Sequence, residues 1–284
     1  IKIKMHMKFT TDIIFFEYII MMLINHNNMC DLATVIMLTY EYGKILKLKN
    51  NIDFRQFCNL NYLNQYLDCN IYRSSAIKNF IKTSPIGRIH KYHLSNETGL
   101  QAAIFVNEYK KNLHIVFKGT DHDIDWNYNL RFFQKKIDDN NVSVHQGFFY
   151  KLHDDNMYNK IENDLLMLLL QYSNFEIIIT GHSLGAALAT LFSFEFSKKT
   201  TNLIKLITFA SPRIGNFKFK NAFENTKHLV HYRIANDRDI VTAIPFFNYY
   251  HVGKNIFVSE DKIEFFNKKT NDFCLKFSLF NCFS

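Results

Sequence analysis

The sequence is poor in the residues that interrupt regular structure. Its 284 residues include only 9 glycines and 3 prolines, whereas 48% are hydrophobic. A single tryptophan is present. No internal repeat or low-complexity linker appears, so nothing marks a domain boundary. A chain of this length can bury a substantial core, and α/β folds of this size commonly form one domain. We therefore expect a single main domain.

Blocks of one charge and metal-binding cysteine patterns are also missing. The net charge is +8 and the isoelectric point is near 9.1, but the lysines and arginines are scattered, which favours a solvated surface over a nucleic-acid partner. The five cysteines show no CxxC or metal-ligand spacing, so neither a metal nor another cofactor is expected. Their odd number leaves at least one thiol outside any intrachain disulfide.

The N-terminal region contains a short apolar stretch at residues 13–24. This stretch has the length of a signal-peptide core and is too short to span a bilayer, so no transmembrane anchor is expected. Glu17 interrupts it, and residues 25–28 lack a small-residue cleavage signature. Residues 1–25 are interpreted either as a signal peptide, which would make the protein secreted, or as an N-terminal helix of an intracellular or membrane-surface protein. Residues 26–284 then form the main domain.

Short apolar strands alternate with helical patterns along that domain. Strands are predicted at 102–107, 113–118, 175–180, 204–209 and 229–234. Helices are predicted at 30–48, at 154–172, and from just after residue 183 to about 197. This alternation predicts an α/β fold with a mostly parallel central sheet and helices on both faces.

One pentapeptide carries a catalytic pattern. Residues 181–185 read GHSLG and fit G-x-S-x-G, in which a serine stands on a sharp turn between a strand and a helix. The apolar run 175–180 supplies the strand, and the segment after Gly185 supplies a helix with small residues at its start. The amino end of that helix offers backbone N–H groups to a developing negative charge. Ser183 is therefore predicted to be a nucleophile.

A serine nucleophile needs a histidine base that a carboxylate orients. In this type of fold the acid and then the histidine follow the serine along the chain. Asp237 and Asp239 come directly after a predicted strand and are the favoured acids, but spacing alone does not choose between them. The downstream histidines are His228, His231 and His251.

Six motifs stand in a particular order along the chain. They are IVFKGT at 115–120 with Asp125, Trp126 and Leu130 behind it, HQGF at 145–148, GHSLGAALA at 181–189, TFASPRIGN at 208–216, RIANDRDIV at 233–241 and YHVG at 250–253. In this order they resemble the motifs of the class 3 lipases, the fungal triacylglycerol lipase family, over about residues 30–258. The resemblance implies the α/β-hydrolase fold.

The resemblance also implies roles for individual residues. Asp239 stands at the acid of the family's D-x-V motif, so Asp237 becomes a neighbour. Thr120 corresponds to an oxyanion-hole donor through its backbone N–H, and the N–H of Leu184 is the second donor. Segment 121–130 takes the place of the family's lid and includes Trp126, whose ring is expected either to meet a lipid surface or to pack in the core.

The chain departs from the family pattern at a few positions. Lys118, Ala210 and Thr242 replace the family's arginine, glycine and proline, and none of these is catalytic. The histidine that serves as the family's catalytic base lies in a later D-H-x-x-Y segment, whereas no histidine follows His251 in this sequence. We therefore expect the domain to be truncated before its base, with His251 as a fallback candidate only.

The leading prediction is a serine hydrolase that cleaves carboxylic esters of lipids, such as triacylglycerol, through an acyl-enzyme on Ser183. Its partner would be a lipid ester substrate, presented at a lipid–water interface. The alternative is a catalytically inactive lipase-like domain that binds lipid or a protein. A thioesterase or peptidase on the same fold would differ only in its acyl substrate.

Overall fold

The computed structural model describes residues 29, 31–39, 83, 86–119, 133–236, 242, 244–245, 247–258 and 263–266. Its strands are β1 (Arg88–Leu94), β2 (Gln101–Asn107), β3 (Asn112–Phe117), β4 (Gln134–Lys136), β5 (Ser143–His145), β6 (Glu176–His182), β7 (Ile204–Phe209), β8 (Leu229–Asn236), β9 (Lys254–Val258) and β10 (Ile263–Phe266). Its helices are α1 (Gln146–His153), α2 (Met157–Gln171), α3 (Leu184–Phe196) and α4 (Phe217–Glu224), and residues 31–39 are also helical.

Eight of these strands form one sheet in the order β1-β2-β3-β6-β7-β8-β9-β10, and β4 pairs with β5 as a separate hairpin. The run from β3 through β6, β7 and β8 to β9 is parallel. The flanking strands β1, β2 and β10 are antiparallel to their neighbours. The mostly parallel central sheet predicted from the sequence is therefore confirmed.

Burial on both faces explains why the central strands are apolar almost without interruption. Every residue of β2 and of β3 is buried. A strand covered by helices on both sides has no solvent-facing row, so apolar residues stand on successive positions rather than on alternate ones.

Helices cover both faces of the sheet. On one face the main core joins the sheet to α1, α2, α3 and α4, and Ile161, Leu165 and Leu168 of α2 are buried within it. On the other face Leu32, from the helical residues 31–39, packs with Ile207 and Tyr232. Helix α3 lies against the sheet and beneath α1, and its small residues permit that close packing.

One predicted helix differs from the structure in its bounds. Helix α2 begins at Met157 because Asp154–Asn156 form a short 3-10 turn in which Asp155 has φ 53° and Asn156 has φ 55°. Such left-handed backbone cannot continue an α-helix. The helix predicted over 30–48 is described only as far as residue 39. The N-terminal segment 1–25 lies outside the described residues.

The buried histidine of the HQGF motif begins helix α1. The Nδ1 atom of His145 accepts the backbone N–H groups of Gly147 at 3.1 Å and Phe148 at 3.4 Å. Its ring stacks on the Phe148 ring with 4.2 Å between centroids. Because the first N–H groups of a helix have no acceptor within it, a side-chain acceptor at this position stabilises the helix start. His145 therefore has a structural role.

Candidate active site

Ser183 occupies the single-residue turn between β6 and α3. Its backbone has φ 56° and ψ −124°, and its side chain is only 7% exposed. Positive φ is costly for a residue with a Cβ atom, and such strain persists only where the surrounding structure imposes it. The strand, turn and helix predicted around the pentapeptide are thus all present.

Two close backbone contacts impose this turn. A Cβ atom on Gly181 would lie 2.4 Å from the carbonyl oxygen of Gly185, on the far side of the turn. A Cβ atom on Gly185 would lie 2.4 Å from the carbonyl oxygen of Phe117, at the end of β3. Since both neighbours are backbone atoms that cannot move aside, only glycine fits at either position.

The amino end of α3 and the carboxyl end of β3 meet beside Ser183. Leu184 is the first residue of α3, and N–H groups in the first turn of a helix have no acceptor within that helix. A Cβ atom on Gly185 would also lie 2.8 Å from the backbone nitrogen of Gly119, two residues beyond the end of β3. Thr120, the next residue, lies outside the described residues, so the oxyanion roles of Thr120 and Leu184 stay predictions.

The connection that follows β8 leaves the same edge of the sheet as Ser183. Parallel pairing aligns His182 with Phe209 and Phe209 with Ile234, so β6, β7 and β8 end together. Both Asp237 and Asp239 follow Asn236, the last residue of β8, but lie outside the described residues. Carboxyl ends of parallel strands are where α/β folds build their sites. The choice of Asp239 over Asp237 stays a prediction.

Buried Arg233 provides a positive charge on the strand that leads to these acids. Burial, together with the nearby Arg213 guanidinium, lowers the pKa of Arg233 to about 10, which leaves it cationic at neutral pH.

Of the downstream histidines, His231 lies in the core. Its Nε2 atom is 2.8 Å from the hydroxyl oxygen of Thr208, and a Cβ on Gly253 would lie 2.5 Å from its ring. Burial lowers the pKa of His231 to about 3, with smaller contributions from Arg233 and His251. His231 is therefore neutral at ordinary pH and enclosed. His228 is exposed just before β8, at the edge of the sheet opposite to Ser183.

His251 makes a short contact with the backbone. Its Nε2 atom lies 2.7 Å from the carbonyl oxygen of Thr242. Because a carbonyl oxygen only accepts, Nε2 carries the proton and donates it to that bond. This contact favours a structural role for His251, and its assignment as a fallback base stays a prediction.

The TFASPRIGN motif ties the loops around the site together, a role that was not predicted. Gly215 pairs through its backbone with both Val144 and Tyr250. The side chain of Asn216 begins α4 by accepting the N–H of Phe219 at 2.8 Å, and it also accepts the N–H of Ser143 at 3.2 Å. An asparagine directly before a helical segment is a recognised start signal and could have indicated the capping function.

The described residues contain neither a candidate metal cluster nor a candidate membrane-spanning helix. Among those residues, no group of three or more His, Cys, Asp and Glu side chains could hold a metal ion. Within the same part of the chain, no helix has both the length and the apolar character needed to cross a membrane.

A parallel sheet with helices on both faces, and a strained serine between a central strand and a tightly packed helix, define an α/β-hydrolase. A family model described as lipase (class 3) matches residues 114–249. The central segment of the chain thus matches the class 3 lipase family, as its motifs predicted.

Curated relatives match parts of the chain. The lipase of Rhizomucor miehei is 28% identical over 174 residues, which are 57% of this chain and 46% of that protein. Phospholipase A1-II 1 of Oryza sativa subsp. indica is 32% identical over 133 residues, which are 42% of this chain and 34% of that protein. The chain thus spans less than half the length of these relatives.

Solved structures share the fold. A triacylglycerol lipase whose catalytic centre is described as a serine protease triad is 25% identical, with a TM-score of 0.59 over 64% of this chain and 70% of that one. The lipase from Rhizopus microsporus var. chinensis is 22% identical, with a TM-score of 0.62 over 84% of this chain and 76% of that one, and this likeness supports the fold alone.

The buried histidines predict that acid destabilises the fold. Burial lowers the pKa of both His114 and His231 from 6.5 to about 3. Between these values the unfolded chain binds more protons, so stability is fully present above pH 6.5 and is lost as the pH falls towards 3, by up to about 1.4 kcal/mol per pH unit for each histidine. Urea unfolding measured from pH 7.5 to pH 4.5 would give this slope.

The variant H231Q should have a smaller slope than the wild type, because one buried titrating group is removed. H228Q, at an exposed position, is the matched control. An unfolding free energy that does not change between pH 7 and pH 5 would contradict the neutral, buried state of these histidines.

Proposed function

We propose that the protein is a serine hydrolase that cleaves carboxylic esters of lipids through an acyl-enzyme on Ser183. The observation that carries the proposal is the strained turn at Ser183, which the Gly181 and Gly185 contacts impose. Strained backbone conformations of this kind cluster at active sites, and this one stands at the carboxyl end of a central strand.

The proposed reaction begins at the Ser183 hydroxyl. The Ser183 hydroxyl attacks the ester carbonyl as a histidine base takes its proton, and the carbonyl oxygen becomes negative. The backbone N–H groups of Leu184 and Thr120 bind that oxygen, an interaction for which the loss of one donor costs about 3 kcal/mol. The alcohol leaves with the proton, and water then hydrolyses the acyl-serine by the same steps.

The proposed substrates are acyl esters of glycerolipids. Support comes from the relatives, which are a fungal lipase and plant A1 phospholipases. Triacylglycerols and phospholipids both present a fatty acyl ester of glycerol to a nucleophile, and they differ in what occupies the remaining position. We propose triacylglycerol or a related acylglycerol as the substrate and treat phospholipid as the outcome that a substrate panel would separate.

The first prediction concerns the nucleophile. Ser183→Ala should abolish ester hydrolysis and covalent labelling by a fluorophosphonate, since both need the activated hydroxyl. Hydrolysis of triacylglycerol, phospholipid and soluble esters would be measured together with labelling and the unfolding midpoint. Ser193→Ala, at another buried serine of the adjoining helix, is the matched control and should keep its label. A wild-type protein that takes no label would show that Ser183 is not activated in this chain, as expected of an inactive lipase-like binding domain or of a domain without its base.

The second prediction concerns the acid. Asp239→Asn should reduce kcat by several orders of magnitude, because a neutral amide no longer stabilises the imidazolium that forms in the reaction. Asp237→Asn should have a much smaller effect on kcat. A larger loss of kcat from Asp237→Asn would exchange the two roles.

The third prediction concerns the base. His251→Ala should leave the rate of fluorophosphonate labelling nearly unchanged in a protein that labels, because the ring already donates its Nε2 proton to the Thr242 carbonyl. The unfolding midpoint should fall, since the backbone loses that anchor. Loss of labelling in His251→Ala, with the fold retained by circular dichroism, would identify His251 as the base.

A further inference from the structure

Two tripeptides of the chain have the form to which N-linked glycans are attached. Residues 96–98 read NET and residues 141–143 read NVS, so each has an asparagine two residues before a hydroxyl side chain. Such tripeptides arise by chance in any sequence that contains many asparagines, and the place of each one in the fold therefore decides its use. An attached glycan is bulky and must lie on the surface.

The first tripeptide lies entirely in the turn that joins β1 to β2. Asn96 and Glu97 are exposed, and Thr98 is half-buried. A surface turn is the structural setting that such a tripeptide needs as an acceptor.

Buried hydrogen bonds hold the base of this turn. The hydroxyl oxygen of buried Ser95 accepts the backbone N–H of Thr98 at 3.0 Å, and the Ser95 carbonyl oxygen accepts the N–H of Gly99 at 3.0 Å. The Ser95 N–H donates to the carbonyl oxygen of Leu100 at 2.9 Å. The ammonium group of Lys151 in α1 donates to the Thr98 carbonyl. The tip of the turn is therefore presented to solvent on a fixed base.

The Thr98 hydroxyl keeps its proton available. Its oxygen accepts the backbone N–H of Leu100 at 3.2 Å. Because a hydroxyl group donates one proton as well as accepting, this bond leaves the donor free. The hydroxyl is the part of the tripeptide that attachment requires besides the asparagine.

The second tripeptide is built into regular structure and the core. Val142 is 4% exposed and belongs to the main core, and Ser143 is the first residue of β5. The Ser143 N–H donates to Asn216 Oδ1 at 3.2 Å, and Asn216 Nδ2 donates to the carbonyl oxygen of Asn141 at 2.9 Å. Although Asn141 is exposed, binding of this tripeptide by an enzyme would withdraw Val142 from the core. It is therefore the poorer acceptor in a folded chain.

We propose that Asn96 carries an N-linked glycan. The donor is an oligosaccharide joined to a lipid diphosphate. The Asn96 Nδ2 atom bonds to the anomeric carbon of the oligosaccharide, the bond from that carbon to the diphosphate oxygen breaks, and the lipid diphosphate leaves with the electron pair. The amide nitrogen loses one of its two protons. The inference requires a secreted protein, one of the two interpretations of residues 1–25, and is independent of the proposed hydrolase function.

A glycan at this position would also protect an edge of the sheet. Strand β1 is the first in the strand order of the described part of the chain and pairs there only with β2. The free side of an edge strand is open to pairing with another chain, and proteins cover such edges. A hydrophilic glycan on the turn that follows β1 would hinder that pairing.

The test uses the full chain secreted from eukaryotic cells behind a cleavable signal sequence, which ensures entry into the secretory pathway. Peptides are treated with peptide N-glycosidase in heavy-oxygen water, and mass spectrometry locates each asparagine whose amide has become a labelled carboxylate. We expect the label at Asn96 in most of the protein and at Asn141 in little of it. An unlabelled Asn96 would overturn the proposal.

Variants identify the tripeptide in use. Asn96→Gln and Thr98→Ala should each abolish the glycosidase-sensitive mass shift of the intact protein, because the first removes the acceptor nitrogen and the second removes the hydroxyl. Thr98→Ser restores the hydroxyl and should keep the shift. Asn141→Gln is the matched control and should also keep it. A shift lost in Asn141→Gln and kept in Asn96→Gln would show that the assignment is wrong.

Protein isolated from the cells that make it tests the modification in its natural setting. A bare Asn96 in that sample would overturn the proposal even if the secreted chain accepts a glycan. Fluorophosphonate labelling of Ser183 should be equal in wild type and Asn96→Gln, because β1 lies three strands from β6 in the sheet. A failure of labelling that both proteins share would count against the hydrolase proposal alone.

Discussion

The approach of helix α3 to strands β3 and β6 is the constraint on which the site depends. At Gly181 the backbone of β6 approaches α3, and at Gly185 the backbone of α3 approaches the end of β3, so closely that a Cβ atom at either position would clash. This close approach accompanies the positive φ of Ser183 and brings the first turn of α3 against the end of β3. A shift of α3 by the width of one methyl group would move Ser183 relative to the end of β3, after which the proposed donor Thr120 follows.

Most polar residues of the other motifs support this arrangement rather than the chemistry. His145 begins α1, Asn216 begins α4 and joins it to the β4–β5 hairpin, and Gly253 leaves space for the His231 ring. His145 and Asn216 satisfy backbone N–H groups, and Gly253 permits close packing. Replacing any of the three would lower the stability of the fold. In the described part of this chain, these motif residues thus anchor the loops around the Ser183 turn.

The elements that could be predicted are those whose own residues carry the signal. Strands β2, β3, β6, β7 and β8 are apolar runs, and α2 has a buried stripe. Strand β1 is mostly polar and partly exposed, and it exists because it pairs with β2. Helix α1 has only eight residues and depends on the His145 cap and on contacts with α3. Its local sequence pattern therefore does not predict it.

The sequence by itself predicts Ser183 as the nucleophile, because the pentapeptide contains the glycines that the turn requires and a strand and a helix flank it. It also contains the order of the motifs and hence the resemblance to the class 3 lipases. Only the tertiary structure distinguishes the environments of the histidines, since His231 is made neutral and inaccessible by burial, and His251 is joined to the carbonyl of Thr242. Burial and bonding between distant segments arise only when the chain is folded, so no local spacing could reveal them.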